Sequence, residues 1–214
     1  MRSTGTVPAV VEQQTKRKRR SHAREELLTA TLAVIVERGL AATQINDVAA
    51  TVGISPAGLL YHFGSRQVLL LEALRYKDQR WIDEIDAGSL GEGSARIDAL
   101  VKLLLDPTPK QKAAWRRDWM VWWEAVVAAL HDDQVRTSIK AQDARWTAVI
   151  ADVLCDAHGQ AHLAAAALSS LVDGLAIRLL VFPGELTHKK AAAIARAYAH
   201  QLTDQYCATA VPTS

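Results

Sequence analysis

The chain has 214 residues, half of them hydrophobic, few of them glycine or proline, and a net charge of only +2. That is enough apolar material to bury a core in one or two domains, and it excludes a chain disordered over most of its length. The charge is uneven: residues 1–66 hold nine Lys and Arg against five Asp and Glu, and the remainder sixteen against eighteen, which suggests a polyanionic partner for the N-terminal third.

Helix formers dominate and strand-type runs are scarce, so the chain reads as all-α with about nine helices. The two cysteines, Cys155 and Cys207, are too few for a disulfide framework and read as thiols in a reducing cytoplasm. The N-terminus shows no apolar signal core, and no run is expected to reach the ~18 apolar residues of a membrane span.

Residues 1–20 are polar and end in Lys16, Arg17, Lys18, Arg19 and Arg20. They read as a flexible basic tail. A charge run alone is a solvated face; just ahead of a unit that binds DNA it reads as a phosphate or minor-groove contact. Ser21 is then expected to cap a first helix carrying Leu27, Leu28, Thr31, Val34 and Ile35 on one face, closed by Gly39. Thr43 is expected to cap a short second helix with Ile45, Val48, Ala49 and Val52. Gly53 breaks it, and Ser55 caps a third helix with Pro56 at its first position, where the missing N–H costs nothing. Leu59, Leu60 and Phe63 are assigned to the core. Gly64 ends this helix and Ser65 caps a fourth, from about Arg66 to Asp86.

Two short helices joined at a glycine form a helix-turn-helix, whose second member enters the major groove by its N-terminal end. The small residues Ser55, Pro56, Ala57 and Gly58 let that backbone approach base edges. Its free N–H groups and partial positive charge favour phosphate. Tyr61, His62 and Arg66 supply flanking donors, as Thr43 and Gln44 do from the second helix. Outside this context, Tyr61 and His62 would read simply as a partly buried helix end.

These residues carry a resemblance. Thr43-Gln44-Ile45-Asn46-Asp47-Val48-Ala49, Gly53-Ile54-Ser55, Leu60-Tyr61-His62-Phe63, Arg66 and Leu69-Leu70 resemble the DNA-binding domain of TetR-family transcriptional repressors, over about fifty residues from Arg24 to Leu74. Arg66 stands where the family usually has lysine, keeping the charge and adding a fork. The resemblance implies phosphate contacts from Thr43, Tyr61, His62 and Arg66, and base-edge contacts near Gln44, Ser55, Pro56 and Ala57. Pro56 and Ala57 lack hydrogen-bonding side chains, so readout there falls to apolar contact or shape. The expected domains are the tail at 1–20, the helix-turn-helix domain at 21–66, and a ligand-binding and dimerisation domain at 67–214.

Beyond a linker at 88–94, helices are expected near 94–105, 110–131, 133–157, 160–181 and 187–206, with breaks at 106–109, 131–133, 158–159 and 182–184. Trp115, Trp119, Trp122 and Trp123 fall on one helical face. An aromatic stripe at that spacing is ordinarily core, but with Trp146 it is a heavy load for one domain. It suits a flat apolar ligand, or a cation held by ring faces. Asp173 and Glu124 are candidate counter-charges, each also readable as a surface or structural residue. Together with residues 171–178, the Trp-rich helix is similar to the BetI-like branch, which implies a small cationic or nitrogen-containing effector. The family resemblance also implies a four-helix dimer interface from the last two helices, assigned to Leu168, Leu171, Leu175, Leu179, Ile194, Tyr198 and Leu202. The alternative is packing within one subunit.

Cys155, Asp156, His158 and His162 invite a metal reading, but Gly159 interrupts the helical spacing, and no metal or cofactor is assigned. No Ser-His-Asp set, P-loop or dinucleotide fingerprint is present, so the chain is read as a non-enzyme. The resulting reading is a cytoplasmic homodimeric repressor with no membrane contact, released from a pseudo-palindromic double-stranded DNA operator by an unidentified small molecule. The rivals are an effector-independent architectural DNA-binding protein and a Cys/His metal or redox sensor.

Overall fold

A computed structural model describes residues 7–85, 90–155 and 160–207, with side chains from Ser21 onward. Among the described residues there are nine α-helices and no strand: α1 Val7–Arg38, α2 Ile45–Val52, α3 Pro56–Phe63, α4 Arg66–Glu84, α5 Ser94–Leu105, α6 Lys112–Ala129, α7 Asp133–Cys155, α8 Ala161–Val181 and α9 His188–Tyr206. The chain divides into two compact units, 1–76 and 77–214. The division falls inside α4, beyond the boundary expected at Arg66. Leu69, Leu70, Ala73 and Leu74 are buried on the first turns of that helix, and Arg24 of α1 pairs with its Glu72.

In the first unit, α1 starts at Val7 and not at Ser21. Strong helix formers fill this stretch with no breaker before Gly39, and Pro8 sits in the first turn, where it is tolerated. The backbone from Val7 on is therefore helical, not an irregular tail, while the side chains of Lys16, Arg17, Lys18, Arg19 and Arg20 lie outside the described residues. Ser21 caps nothing; its hydroxyl donates to Glu25 Oε1 at 3.0 Å.

Leu27, Leu28, Leu32, Val34 and Ile35 bury one face of α1. Thr31 joins them because its hydroxyl donates back to the Leu27 carbonyl at 2.8 Å. Val48 and Ala49 of α2 and Leu59 and Phe63 of α3 complete this core. Gly53 links the two short helices at φ 70°. A Cβ there would meet nothing within 4 Å, so the glycine is required by its left-handed backbone and not by crowding.

In the second unit, Ile97, Leu100, Val101, Leu104 and Leu105 of α5 pack with Ile150 and Leu154 of α7 and Leu168 of α8 in one core. Ala164, Ala165, Ala176, Ala191, Ala195 and Ala199 are fully buried on α8 and α9, small side chains that let these helices approach closely. The last carbonyls of α5 are satisfied from outside the helix: Trp115 Nε1 donates to Leu104 at 2.7 Å, and His188 Nδ1 lies 2.8 Å from the Leu105 carbonyl.

Cys155 and Cys207 are bonded to each other, Cα to Cα 5.0 Å, closing the end of α7 onto the end of α9. The two-thiol expectation is corrected: their separation in sequence hides that both lie at adjoining helix ends. The expectation of no membrane-length apolar run is corrected as well. Helix α8 reaches a mean hydropathy of 1.7 over eighteen residues, of which a third are buried within the unit.

Candidate functional sites: a DNA-facing helix pair and a tryptophan–aspartate cavity

On the helix-turn-helix, Gln44, Ser55, Pro56, Ala57, Tyr61 and His62 are all exposed, Tyr61 at 88%. Ser55 caps α3 by accepting from the Gly58 N–H at 3.0 Å, which leaves its own O–H to donate. Arg24 fixes the far end of α3: its guanidinium donates to the His62 carbonyl at 3.2 Å and lies 4.4 Å from the centre of the Phe63 ring. The exposed pair Tyr61–His62 therefore stands on an anchored turn.

Three assignments change. Thr43 is 1% exposed, with its hydroxyl donating to the Gly39 carbonyl at 2.8 Å, so it closes the α1–α2 turn and does not reach a phosphate. Gln44, not Thr43, is the N-cap of α2, and its N–H donates to Asp47 Oδ2 at 3.2 Å. Arg66 turns inward: Nε donates to Thr43 O at 2.5 Å and Nη2 to Leu40 O and Ala41 O at 3.0 and 2.7 Å. The fork expected for phosphate is used on the carbonyls of the turn between α1 and α2. Leu60, assigned to the core, is 39% exposed, because Leu59 and Phe63, one turn apart, already define the buried face.

The second unit holds a cavity of about 80 Å³ built from five helices. α4 contributes Lys77, Asp78 and Trp81; α5 Leu104; α6 Asp118, Trp119 and Trp122; α7 Asp143, Trp146 and Ile150; α8 Ser169, Val172 and Asp173. Within each helix that gives more than one residue, the spacing is that of a single face. Of the predicted ligand residues, Trp119, Trp122, Trp146 and Asp173 meet here. Trp115 does not: it is buried, with its N–H on α5 and its ring edge-on to His188 at 4.7 Å. Trp123 is half-buried and does not line the cavity, and Glu124 is exposed.

Sequence reading missed Trp81, which meets Trp146 edge-to-face at 6.4 Å, and the residues Lys77, Asp78, Asp118 and Asp143. One signal was available. Asp118 lies three residues after Trp115 and four before Trp122, a carboxylate inside the aromatic stripe.

The charges are not all alike. Lys77 Nζ pairs with Asp78 Oδ1 at 2.6 Å. Asp118 receives Arg117 at 2.9 Å and the Trp81 N–H at 3.0 Å. Asp143 and Asp173 have no ion pair with a basic residue among the described residues. Burial first, then the Asp143 carboxylate, push Asp173 up to about 6 from its usual 3.8, against smaller opposing effects of the Trp122 N–H and Lys77. That indole N–H approaches Asp173 without completing a hydrogen bond, and the N–H of Trp119 is likewise buried and unsatisfied. The cavity thus sets two carboxylates that have no ion pair among the described residues beside aromatic ring faces, two features that each favour a positive charge.

Elsewhere, Leu168, Leu175 and Leu202, assigned to a dimer interface, are buried inside the unit. Leu171, Leu179 and Tyr198 are half-buried, and Ile194 is 46% exposed. Leu163, Val181 and Phe182 are further exposed apolar side chains along α8 and its end. Of the residues considered for a metal, Cys155 is bonded to Cys207, His162 is exposed, and Asp156 and His158 lie outside the described residues.

Comparison with known proteins agrees with both halves. Residues 27–73 match the family of bacterial regulatory proteins, tetR family, and residues 94–204 match the BetI-type transcriptional repressor, C-terminal. The HTH-type transcriptional regulator BetI of Stenotrophomonas maltophilia is 27% identical, covering 82% of this chain and 90% of its own. That of Pectobacterium carotovorum is 26% identical, covering 83% and 92%. Among solved structures, a transcriptional regulator from Saccharomonospora viridis in complex with choline shares 28% identity at a TM-score of 0.71, over 84% of this chain and 96% of that one. A TetR-family regulator from Rhodococcus sp. has the same fold at a TM-score of 0.74, with 24% identity over 86% and 99%. The nine helices, the helix-turn-helix and the matches over both units agree: the chain belongs to the TetR family of transcriptional regulators, and its C-terminal unit to the BetI-type branch.

Proposed function

We propose that this repressor holds a pseudo-palindromic operator as a homodimer and releases it when a small organic cation of the quaternary ammonium class fills the tryptophan–aspartate cavity. The observation that carries the reading is the pair of carboxylates, Asp143 and Asp173, which have no ion pair among the described residues and line the cavity with Trp81, Trp119, Trp122 and Trp146. A cation is favoured by both, and it lowers the mutual repulsion that raises Asp173. The unsatisfied indole N–H groups of Trp119 and Trp122 favour a ligand bearing a hydroxyl or carboxylate oxygen. A volume of about 80 Å³ accommodates on the order of six water-sized bodies, which suits choline, bound by the Saccharomonospora relative, and not a large flat molecule.

Operator contacts are assigned to Gln44, Ser55, Pro56, Ala57, Tyr61 and His62, all exposed on one helix pair. In a dimer the two recognition helices serve half-sites about one turn apart, ~34–36 Å or a multiple. The partner copy is assigned to the outer face of α8 and α9 through Leu163, Leu171, Leu179, Val181, Ile194 and Tyr198, which accounts for an apolar helix only one-third buried within its own unit. The ligand acts only by preferring a state with a different half-site separation, typically by ~1–3 kcal/mol.

The test is calorimetric titration with choline and with its neutral isostere, 3,3-dimethylbutan-1-ol. Choline is expected to bind and to release a footprinted operator, and the isostere to bind at least about tenfold more weakly. Equal affinity for the two would refute a cation site.

A further inference from the structure

The cavity already contains a cation of its own. Lys77 and Asp78 are consecutive on α4, so their side chains leave the helix about 100° apart and are not natural partners. Both nevertheless bend into the cavity wall, 8% and 2% exposed, to meet at 2.6 Å. From there the Lys77 ammonium lies 5.4 Å from the centre of the Trp122 ring, within the range of a cation–π interaction. Stability alone gives little reason for this arrangement, since a buried ion pair is often replaceable by apolar side chains at no loss.

We propose that Lys77 is a built-in competing cation: its ammonium holds the place on the Trp122 ring that a cationic effector must take, so it sets the concentration at which the effector acts. This rests on the cation reading of the cavity. An entering cation meets a like charge at the aromatic face and displaces it. The displaced ammonium has somewhere to go, because Asp78 Oδ2 is buried and unpartnered on the same carboxylate. Lys77 is also the first residue after the division between the two units, on a helix that continues into the DNA-binding unit.

The experiment is a tryptophan-fluorescence titration with tetramethylammonium and with choline, on the full-length wild type, Lys77→Gln, Lys77→Arg, and the double variant Lys77→Met with Asp78→Asn. The double variant keeps the formal charge of the cavity while removing the competitor. It is expected to bind tetramethylammonium at least about tenfold more tightly, 1.4 kcal/mol, and to release operator at a correspondingly lower choline concentration. Lys77→Gln moves in the same direction, and if the double variant does not fold, Lys77→Gln combined with Asp78→Asn, which likewise keeps the formal charge, decides the matter. Lys77→Arg, which keeps the charge, is expected to stay near wild type. Folded neutral variants that bind both cations with wild-type affinity, or more weakly, overturn the proposal while the cavity reading stands. Failure of every form, wild type included, to bind either cation overturns both.

Discussion

Replacing Asp173 with asparagine separates the cavity's cost from its use. The carboxyl sits at about 6 in place of 3.8 because burial and Asp143 disfavour its charge. A group whose pKa is raised on folding favours the folded state fully below 3.8, and that contribution is lost as the pH rises through about 6. At pH 7.5 the folded protein therefore carries an ionised Asp173 at a cost of about 3 kcal/mol for a rise of that size, or ~2 kcal/mol once partial solvent screening is allowed for. An asparagine amide at this position carries no such cost. Urea unfolding at fixed ionic strength should show the variant more stable than wild type by roughly 2–3 kcal/mol at pH 7.5. The difference should shrink between pH 6 and 3.8 and vanish below. Choline affinity should move the other way, falling at least about tenfold in the variant and falling in the wild type as the pH drops below 6. A variant destabilised at pH 7.5, or a stability difference that does not change with pH, would show that Asp173 is a structural hydrogen-bonding residue and not a strained counter-charge.

Four further outcomes follow from particular contacts. Tyr61→Ala should weaken operator binding about tenfold or more in gel-shift titrations while leaving the melting temperature unchanged, since the ring is 88% exposed. Arg66→Ala should instead destabilise the first unit by ~2–3 kcal/mol, because three carbonyls lose a charged donor; an unchanged denaturation midpoint with weakened DNA binding would restore its assignment to phosphate. The Cys155–Cys207 bond closes a 52-residue separation, so reduction should lower the stability of the second unit by up to about 4 kcal/mol. Thiol titration of the oxidised, unfolded chain should find neither sulfur free. Val181→Asp, on the exposed end of α8, should give monomers in sedimentation equilibrium with the fold retained, whereas Leu168→Asp, at a fully buried site, should unfold the unit.

Much of the DNA-binding unit is legible residue by residue because its signals are local. Ser55 accepting from Gly58, Ser65 Oγ accepting the Val68 N–H at 3.2 Å and the left-handed Gly53 all act within a few residues of themselves. The misreading of Arg66 comes from contacts across the chain. Arg66 reaches back to Leu40, Ala41 and Thr43, and the fact that a guanidinium is used internally cannot be read from its own neighbourhood.

The second unit divides along the same line. Composition, helical period and breaker positions determined nine helices, and the tryptophan stripe of α6 with Trp146 pointed to an aromatic binding site. Periodicity gives the face of a helix but not what that face meets. Only tertiary packing decided that Trp115 closes the end of α5 while Trp119 and Trp122 face a cavity. The same holds for the approach of Lys77, Asp78 and Trp81 from α4, Asp143 from α7 and Asp173 from α8, and for Leu168, Leu175 and Leu202, which look inward while Ile194 and Val181 look out. It also brought Cys155 and Cys207 together, fifty-two residues apart in sequence and 5.0 Å apart between Cα atoms. Local hydrogen bonding and period are properties of a few adjacent residues, whereas a cavity lined from five helices and a disulfide between two helix ends are properties of helices that meet only when the whole unit has folded.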